Sequence, residues 1–173
     1  MSSCALTKGK ARGCRTGFAG IKRIDFFEWD AIESAVIVAG VVTLALIDGK
    51  RAWPYYLEEE LGNFKDSGAG SRPNGSYVRT QTLLAPFVNF ESNEIDEIEL
   101  LSQNRLGAVV HYSDGRFRVA GLEVGLMLDS DADDSGTAHE DRNGIEFSFS
   151  CKQKHKAPFI SASNVLALQT PTS

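Results

Sequence analysis

Four carboxylates have the spacing of a calcium loop. Asp129, Asp131 and Asp133 alternate, and Glu140 is twelfth counting from Asp129, which matches ligand positions 1, 3, 5 and 12. The glycine that such a loop needs at position 6 is replaced by Asp134, and Gly136 comes two residues late. No helix is expected on either side, so a plain acidic loop is the preferred reading and calcium is its alternative. The other carboxylates, Glu58, Glu59 and Glu60 in a run and Glu97 and Glu99 further on, read as solvated surface. Acid–base catalysis needs surroundings that push two carboxyl pKa values apart, and consecutive exposed acids do not supply them.

The remaining reactive side chains are sparse. His111, His139 and His155 belong to no HExxH, and no GxSxG or comparable activated nucleophile accompanies them. His111 lies in an apolar run beside Tyr112 and reads as a packed strand residue. Cys4, Cys14 and Cys151 are odd in number and unevenly spaced, which suits ordinary thiols better than disulfides. A metal shared by these cysteines and His155 is the alternative. Neither GxxxxGK[ST] nor GxGxxG is present. The chain is therefore read as a structural protein, not an enzyme, with no cofactor.

The elements that would position these residues are mostly strands. Ile21–Trp29 is apolar without clean alternation, so it is expected to be covered on both faces. Ala35–Val38 and Val41–Ile47 are β-branched runs split by Gly40, with Asp48-Gly49 closing the second. Arg51–Phe64 is a further strand; Pro54 confines it to an edge or sends its start outside the ladder. Residues 65–76 are polar and Gly-rich and read as a long loop, functional or mobile. Tyr77–Phe90 is a long strand that Pro86 ends or bulges. Ser92 or Asn93 caps a helix of about 93–104, with Ile95, Ile98 and Leu101 on its apolar stripe. Leu106–Tyr112 and Arg116–Leu122 form a hairpin around Asp114-Gly115, Glu123–Leu128 continues it, and Gly144–Lys152 closes the series with Ile145, Phe147 and Phe149 on one face. The fold class is mainly β (α+β): an antiparallel sandwich or half-barrel with one flanking helix. Residues 21–152 form the domain, between an N-terminal arm of residues 1–20 and a C-terminal arm of residues 153–173.

Charge is distributed unevenly within a net −5. Residues 1–30 carry six bases against three acids, and residues 151–173 carry Lys152, Lys154 and Lys156 with no acid. Residues 91–150 carry four bases against fourteen acids. Basic ends and an acidic body suit docking between copies, since complementary charge steers association. The longest apolar stretch, Ala35–Ile47, contains Gly40 and Thr43 and is shorter than the roughly 20 residues that span a bilayer. No apolar run of about 7–15 residues follows the basic N-terminus, so no signal peptide, no membrane contact and a cytoplasm-like compartment are expected.

Three stretches carry a resemblance. CALTKGKARGCRTGFAGIKRIDFFEW leads through two cysteines and Gly-Ile-Lys into an aromatic strand. TQTLLAPFVNFESNEIDEIELLSQNRLGAVVHYSDGRFRVAGLEVGL gives a long strand, a helix and a hairpin ending in Ala-Gly-Leu-Glu-x-Gly. SGTAHEDRNGIEFSFSCKQKHKAPF gives a Ser-Gly-Thr-Ala loop, an Asp-x-Asn-Gly turn and a closing strand. Together they resemble the small tail proteins of tailed bacteriophages, and most of all the tail tube (major tail) protein. The likeness covers Cys4–Gly20 in outline and Thr80–Phe159 more closely.

The resemblance implies a virion protein of the tail, assembled in the host cytoplasm. Six copies close into a ring, their inner sheets merge around a lumen, and stacked rings conduct DNA without sequence-specific binding. Its partners are copies of itself and other tail or neck proteins. Ring-to-ring contacts are expected from Lys65, Asp66, Arg72 and Asn74 in the loop, from Lys8, Lys10, Arg12 and Arg15 in the N-terminal arm, and from residues 153–173. An acidic lumen would repel phosphate, the inverse of ordinary nucleic-acid binding. A head–tail connector or tail terminator ring is the alternative within the virion, and a non-viral calcium-dependent binding module is the alternative outside it.

Overall fold

The computed structural model describes residues 9–10, 18–58, 60–71, 73–88, 91–137 and 143–170. The strands are β1 (Ile21–Glu28), β2 (Ile32–Val38), β3 (Val41–Leu46), β4 (Trp53–Tyr56), β5 (Asn63–Ser71), β6 (Ser76–Val88), β7 (Leu106–Tyr112), β8 (Phe117–Ala120), β9 (Met127–Asp134), β10 (Gly144–Gln153) and β11 (Phe159–Ile160). Helix α1 (Ile95–Gln103) precedes β7, and helix α2 (Ala162–Gln169) follows β11. Among the described residues the strands form a large sheet in the order β2-β3-β11-β8-β7-β1-β4 and a small one in the order β5-β6-β10-β9. Every ladder is antiparallel except the short β11–β3 pair. The expected mainly β sandwich is found, with two helices where one was expected.

The large sheet is the middle layer. Ile24, Phe26, Ala108 and Val110 on one face pack against Leu83, Ala85, Phe147 and Phe149 of the small sheet. Phe27, Val42, Leu44 and Val109 on the other face pack against Val165 and Leu168 of α2. Burial on both sides explains why β1 and β7 lack alternation: each successive side chain enters one core or the other. Gly107 makes room within the large sheet for the ring of its cross-strand partner Phe27, because a Cβ there would sit 2.2 Å from it. The β2–β3 hairpin turns at Ala39 and Gly40, with φ of 53° and 83°, the positive pair that a two-residue primed turn requires.

Several expectations are corrected. Residues 65–76 are not a loop. β5 pairs with β6 from Asn63↔Leu84 to Ser71↔Ser76, so nearly the whole segment belongs to a hairpin. The segment is polar because the hairpin ends a sheet and exposes one face, so alternation need not recruit apolar residues there. Arg51–Phe64 is not one strand: β4 lies in the large sheet and β5 in the small one, although Pro54 does sit on an edge. Pro86 neither ends nor bulges β6. It pairs with Glu146 beyond the reach of β5, where the missing N–H faces no ladder. The aspartates assigned to a loop lie on β9. The C-terminal segment is not a free arm: Ala157, Ile160, Val165 and Leu168 are buried, and the Ser161 hydroxyl accepts from the Asn164 N–H at the start of α2.

Candidate assembly surface

The large sheet is wider than the small one, and the difference leaves an uncovered shelf. Cross-strand partners project to the same side. Val42 and Leu44 face α2, so Val41 faces the side on which the small sheet lies, together with its partners Val38 and Phe159. Arg118, the other partner of Phe159, reaches from that side to Asp66 on β5. None of the described residues covers the shelf beyond β5. Val36 is 58% exposed, Val38 69%, Val41 44% and Phe159 39%.

The shelf ends in the unpaired edge of β2. Open edges in native proteins are blunted by proline, inward charge, bulges or lysine. β4 carries Pro54, β5 carries Lys65 and two glycines, and β9 carries alternating aspartates and a register shift opposite Ser148/Phe149. Over Ala35–Val38, β2 has none of these devices. A groove of about 620 Å³ opens beside it, with Ile37 and Phe159 as apolar lining, Arg116, Arg118 and Lys156 as its cations, and His155 at its side.

Two buried carboxylates fix the scaffold under this surface. Asp66, whose side chain is 2% exposed, accepts from Arg79 Nε at 2.8 Å, Arg118 Nη2 at 3.2 Å and the Ala157 N–H at 3.0 Å. It joins the small sheet to the large sheet and to the segment before β11. Asp25 is fully buried under α2, where it accepts from Arg23 Nε at 2.7 Å and Gln169 Nε2 at 2.8 Å and meets His111 Nε2 at 2.8 Å. Burial alone would raise the Asp25 carboxyl, but the hydrogen bonds from His111 and Arg23 outweigh it and hold the pKa down at about 2. The cleft over this cluster is lined by Lys22, Arg23, Tyr56, Phe117, Leu166 and their neighbours. The geometry is that of a clamp holding α2 on the sheet.

That clamp titrates with a defined sign. The folded pKa of Asp25 is below its unfolded value, so its stabilisation is complete above the unfolded value and is lost as pH falls toward about 2. Wild type is expected to lose about 2 kcal/mol more than Asp25→Asn between pH 5 and pH 2. Urea unfolding of both proteins across that range checks it, and equal losses would reject the assignment.

The structure separates the sequence candidates. Lys65 and Asn74 are exposed, as surface contacts require, and Lys10 is exposed as well. Asp66 is placed differently: its side chain is 2% exposed and already accepts from three donors inside the chain, so it is an internal hub and not a surface contact. Lys8, Arg12, Arg15, Arg72 and Glu140 lie outside the described residues, as do Cys4, Cys14 and His139. Asp129, Asp131 and Asp133 lie along an extended strand, where alternate residues are about 6.5 Å apart, whereas calcium needs a loop that wraps it with oxygens at about 2.3–2.6 Å. Among the described residues no three His, Cys, Asp or Glu side chains are placed to hold a metal. His111 is packed within β7, as read from sequence. Cys151 is a buried free thiol whose pKa burial pushes up to about 11, so little thiolate forms at neutral pH. His155 is paired with Glu123.

Sequence reasoning missed the shelf and both clamps. The signal for the shelf was present: Ala35–Val38 is apolar on consecutive residues, which a half-covered edge strand does not require. The class defined here is a β-sandwich with an incomplete second layer and an unprotected apolar edge. No protein-family model, curated protein or solved structure matches the chain. Among the described residues no helix is long and apolar enough to cross a membrane.

Proposed function

We propose that this chain is a ring-forming structural subunit of a phage tail tube. The observation that carries the reading is the shelf of Val36, Val38, Val41 and Phe159 beside an unprotected edge strand. A contiguous exposed apolar surface of this kind marks a protein–protein contact, and here it is shaped to receive a second layer of sheet. The four-stranded sheet ends in β5 and β9, whose lysine, glycines and aspartates oppose indiscriminate pairing, so a neighbour's sheet continues there, and closes a barrel, only where its charges are complementary. In that arrangement the second layer over each shelf comes from the next copy.

The outer face of the small sheet would then line the lumen. It is rich in small hydroxyls, Ser67, Thr80, Thr82, Ser148 and Ser150, with Lys65 and Lys152 balanced by Asp134 and Glu146. The expected acidic lumen is therefore revised: a neutral, hydroxylated wall limits DNA adhesion by offering no dense positive charge.

Electron microscopy of the purified protein tests the reading. Long polymers support the tube, isolated single-layer rings support a terminator or connector, and a monomer at every concentration rejects both. Val38→Lys is expected to leave the melting temperature within a few degrees, because the side chain is exposed in the monomer. It should raise the concentration needed for assembly by about tenfold or more, since a lysine must be desolvated in the contact. Normal assembly by that variant would remove the shelf from the interface.

A further inference from the structure

We propose that the contact between copies is head-to-tail and electrostatically keyed: the acidic edge strand β9 of one copy occupies the basic groove beside the β2–β3–β11 shelf of the next. This rests on the assembly reading above and names the two surfaces that meet.

The orientation of β9 is the first argument. Asp131 pairs with Phe147 and Asp133 with Ile145, so both carboxylates are on the inner side of the small sheet. Both are exposed on the edge strand, and Asp133 borders a groove shared with Ile95 and Ile98 of α1, which lies alongside β9. No cation among the described residues pairs with either. If the small sheet of one copy continues past β5 of its neighbour, the inner side of β9, with α1 alongside it, faces that neighbour's shelf. Asp131 and Asp133 then point to the side from which Arg118 reaches across to β5.

The charge of the groove is the second. Arg79 and Arg118 share the single carboxylate of Asp66, which leaves one positive charge of that cluster uncompensated. Lys156 lines the groove and has no carboxylate partner among the described residues. Arg116 is held by Asp114 and His155 by Glu123, so they add donors but little net charge. The groove is thus positive, and β9, with Asp131 and Asp133 on its inner side, matches it in charge.

Specificity is the third. Two β9 edges brought together would oppose like charges, which disfavours the symmetric pairing. The basic groove is where the repulsion becomes attraction. A contact between different surfaces leaves every copy with one free donor strand and one free groove, as ring closure requires.

Charge reversal in the full chain tests the proposal by sedimentation and electron microscopy. Asp131→Lys with Asp133→Lys, and separately Arg116→Glu with Lys156→Glu, should each raise the assembly threshold by about tenfold or more. Mixing the two variants should restore assembly, because each then supplies the surface that the other lacks. The neutral pair Asp131→Asn with Asp133→Asn should fold as wild type and show a smaller rise. Salt raised from about 0.05 to 0.5 M should weaken wild-type assembly. Wild-type thresholds in all the variants, or loss of assembly that mixing does not restore, would overturn the keyed contact while leaving the assembly reading standing. A wild-type protein that is monomeric throughout would overturn both.

Discussion

Asp66→Ala is expected to cost about 3–5 kcal/mol of stability, because it strands two guanidinium groups that share one buried partner. The side chains of Arg79 and Arg118 are only 15% and 14% exposed, so water cannot fully replace the lost oxygens. The Ala157 N–H loses its acceptor too, and with it the tie that brings the chain back before β11. Arg79 also donates to the Asp66 backbone carbonyl at 3.1 Å, a bond the substitution retains, so the upper end of the range applies only if both arginines stay buried. Asp66→Asn should fall between wild type and alanine, since an amide accepts through one oxygen but opposes one donor with its own NH2. Chemical denaturation of the three proteins at neutral pH orders them, and an alanine variant within 1 kcal/mol of wild type would show that Asp66 is not a hub. The same geometry decides how to probe the hairpin. Deleting residues 65–76 would remove Asp66 along with the tip, so the monomer is expected to unfold, although the same deletion in a true loop would be silent. Shortening only residues 72–75 isolates any contribution of the tip to ring contacts.

The fold was legible where local pattern and burial agree. In β10 the buried Phe147 and Phe149 alternate with serines, and the Asp114-Gly115 turn joins β7 to β8, so a period of two and a turn signal sufficed. The acidic first turn and the Ile98–Leu101 spacing showed α1, although Ile95 and Leu100 are half exposed and the stripe is narrower than the sequence suggests. Three elements were hidden for physical reasons. β5 is a strand by pairing, and its serines and glycines give no periodic signal of their own. β9 reads as an acidic loop because its outward edge has no layer to bury against. β11 and α2 are too short for a period, and their burial comes from strands remote in sequence, β1 and β3 more than a hundred residues earlier and β7 and β8 nearer. The carboxylate sites were hidden for the same reason. Asp25, His111 and Gln169 meet only when β1, β7 and α2 stack, and no spacing along the chain records that meeting.

Phe147→Ala is expected to destabilise the monomer by about 3–5 kcal/mol. Phe147 is fully buried between the sheets, with its ring centroid 5.8 Å from Phe149 and 5.9 Å from Phe87, and Phe87 lies 5.6 Å from Tyr55 of the large sheet. Truncation opens a cavity in the chain of rings that holds the two sheets together, and the ladders on either side of β10 restrict its collapse. Phe159 provides the contrast. It belongs to the shelf and is 39% exposed, so Phe159→Ala should cost the monomer about 1 kcal/mol. Its larger effect should fall on assembly, where the ring would be covered by the next copy. Thermal melts and assembly thresholds of the two variants therefore move in opposite order. If Phe159→Ala instead destabilises the monomer as much as Phe147→Ala, the shelf is part of the core and the surface has been misassigned. If neither threshold moves once the unfolded fraction is corrected for, β11 is outside the contact and the covering layer must lie elsewhere on the molecule.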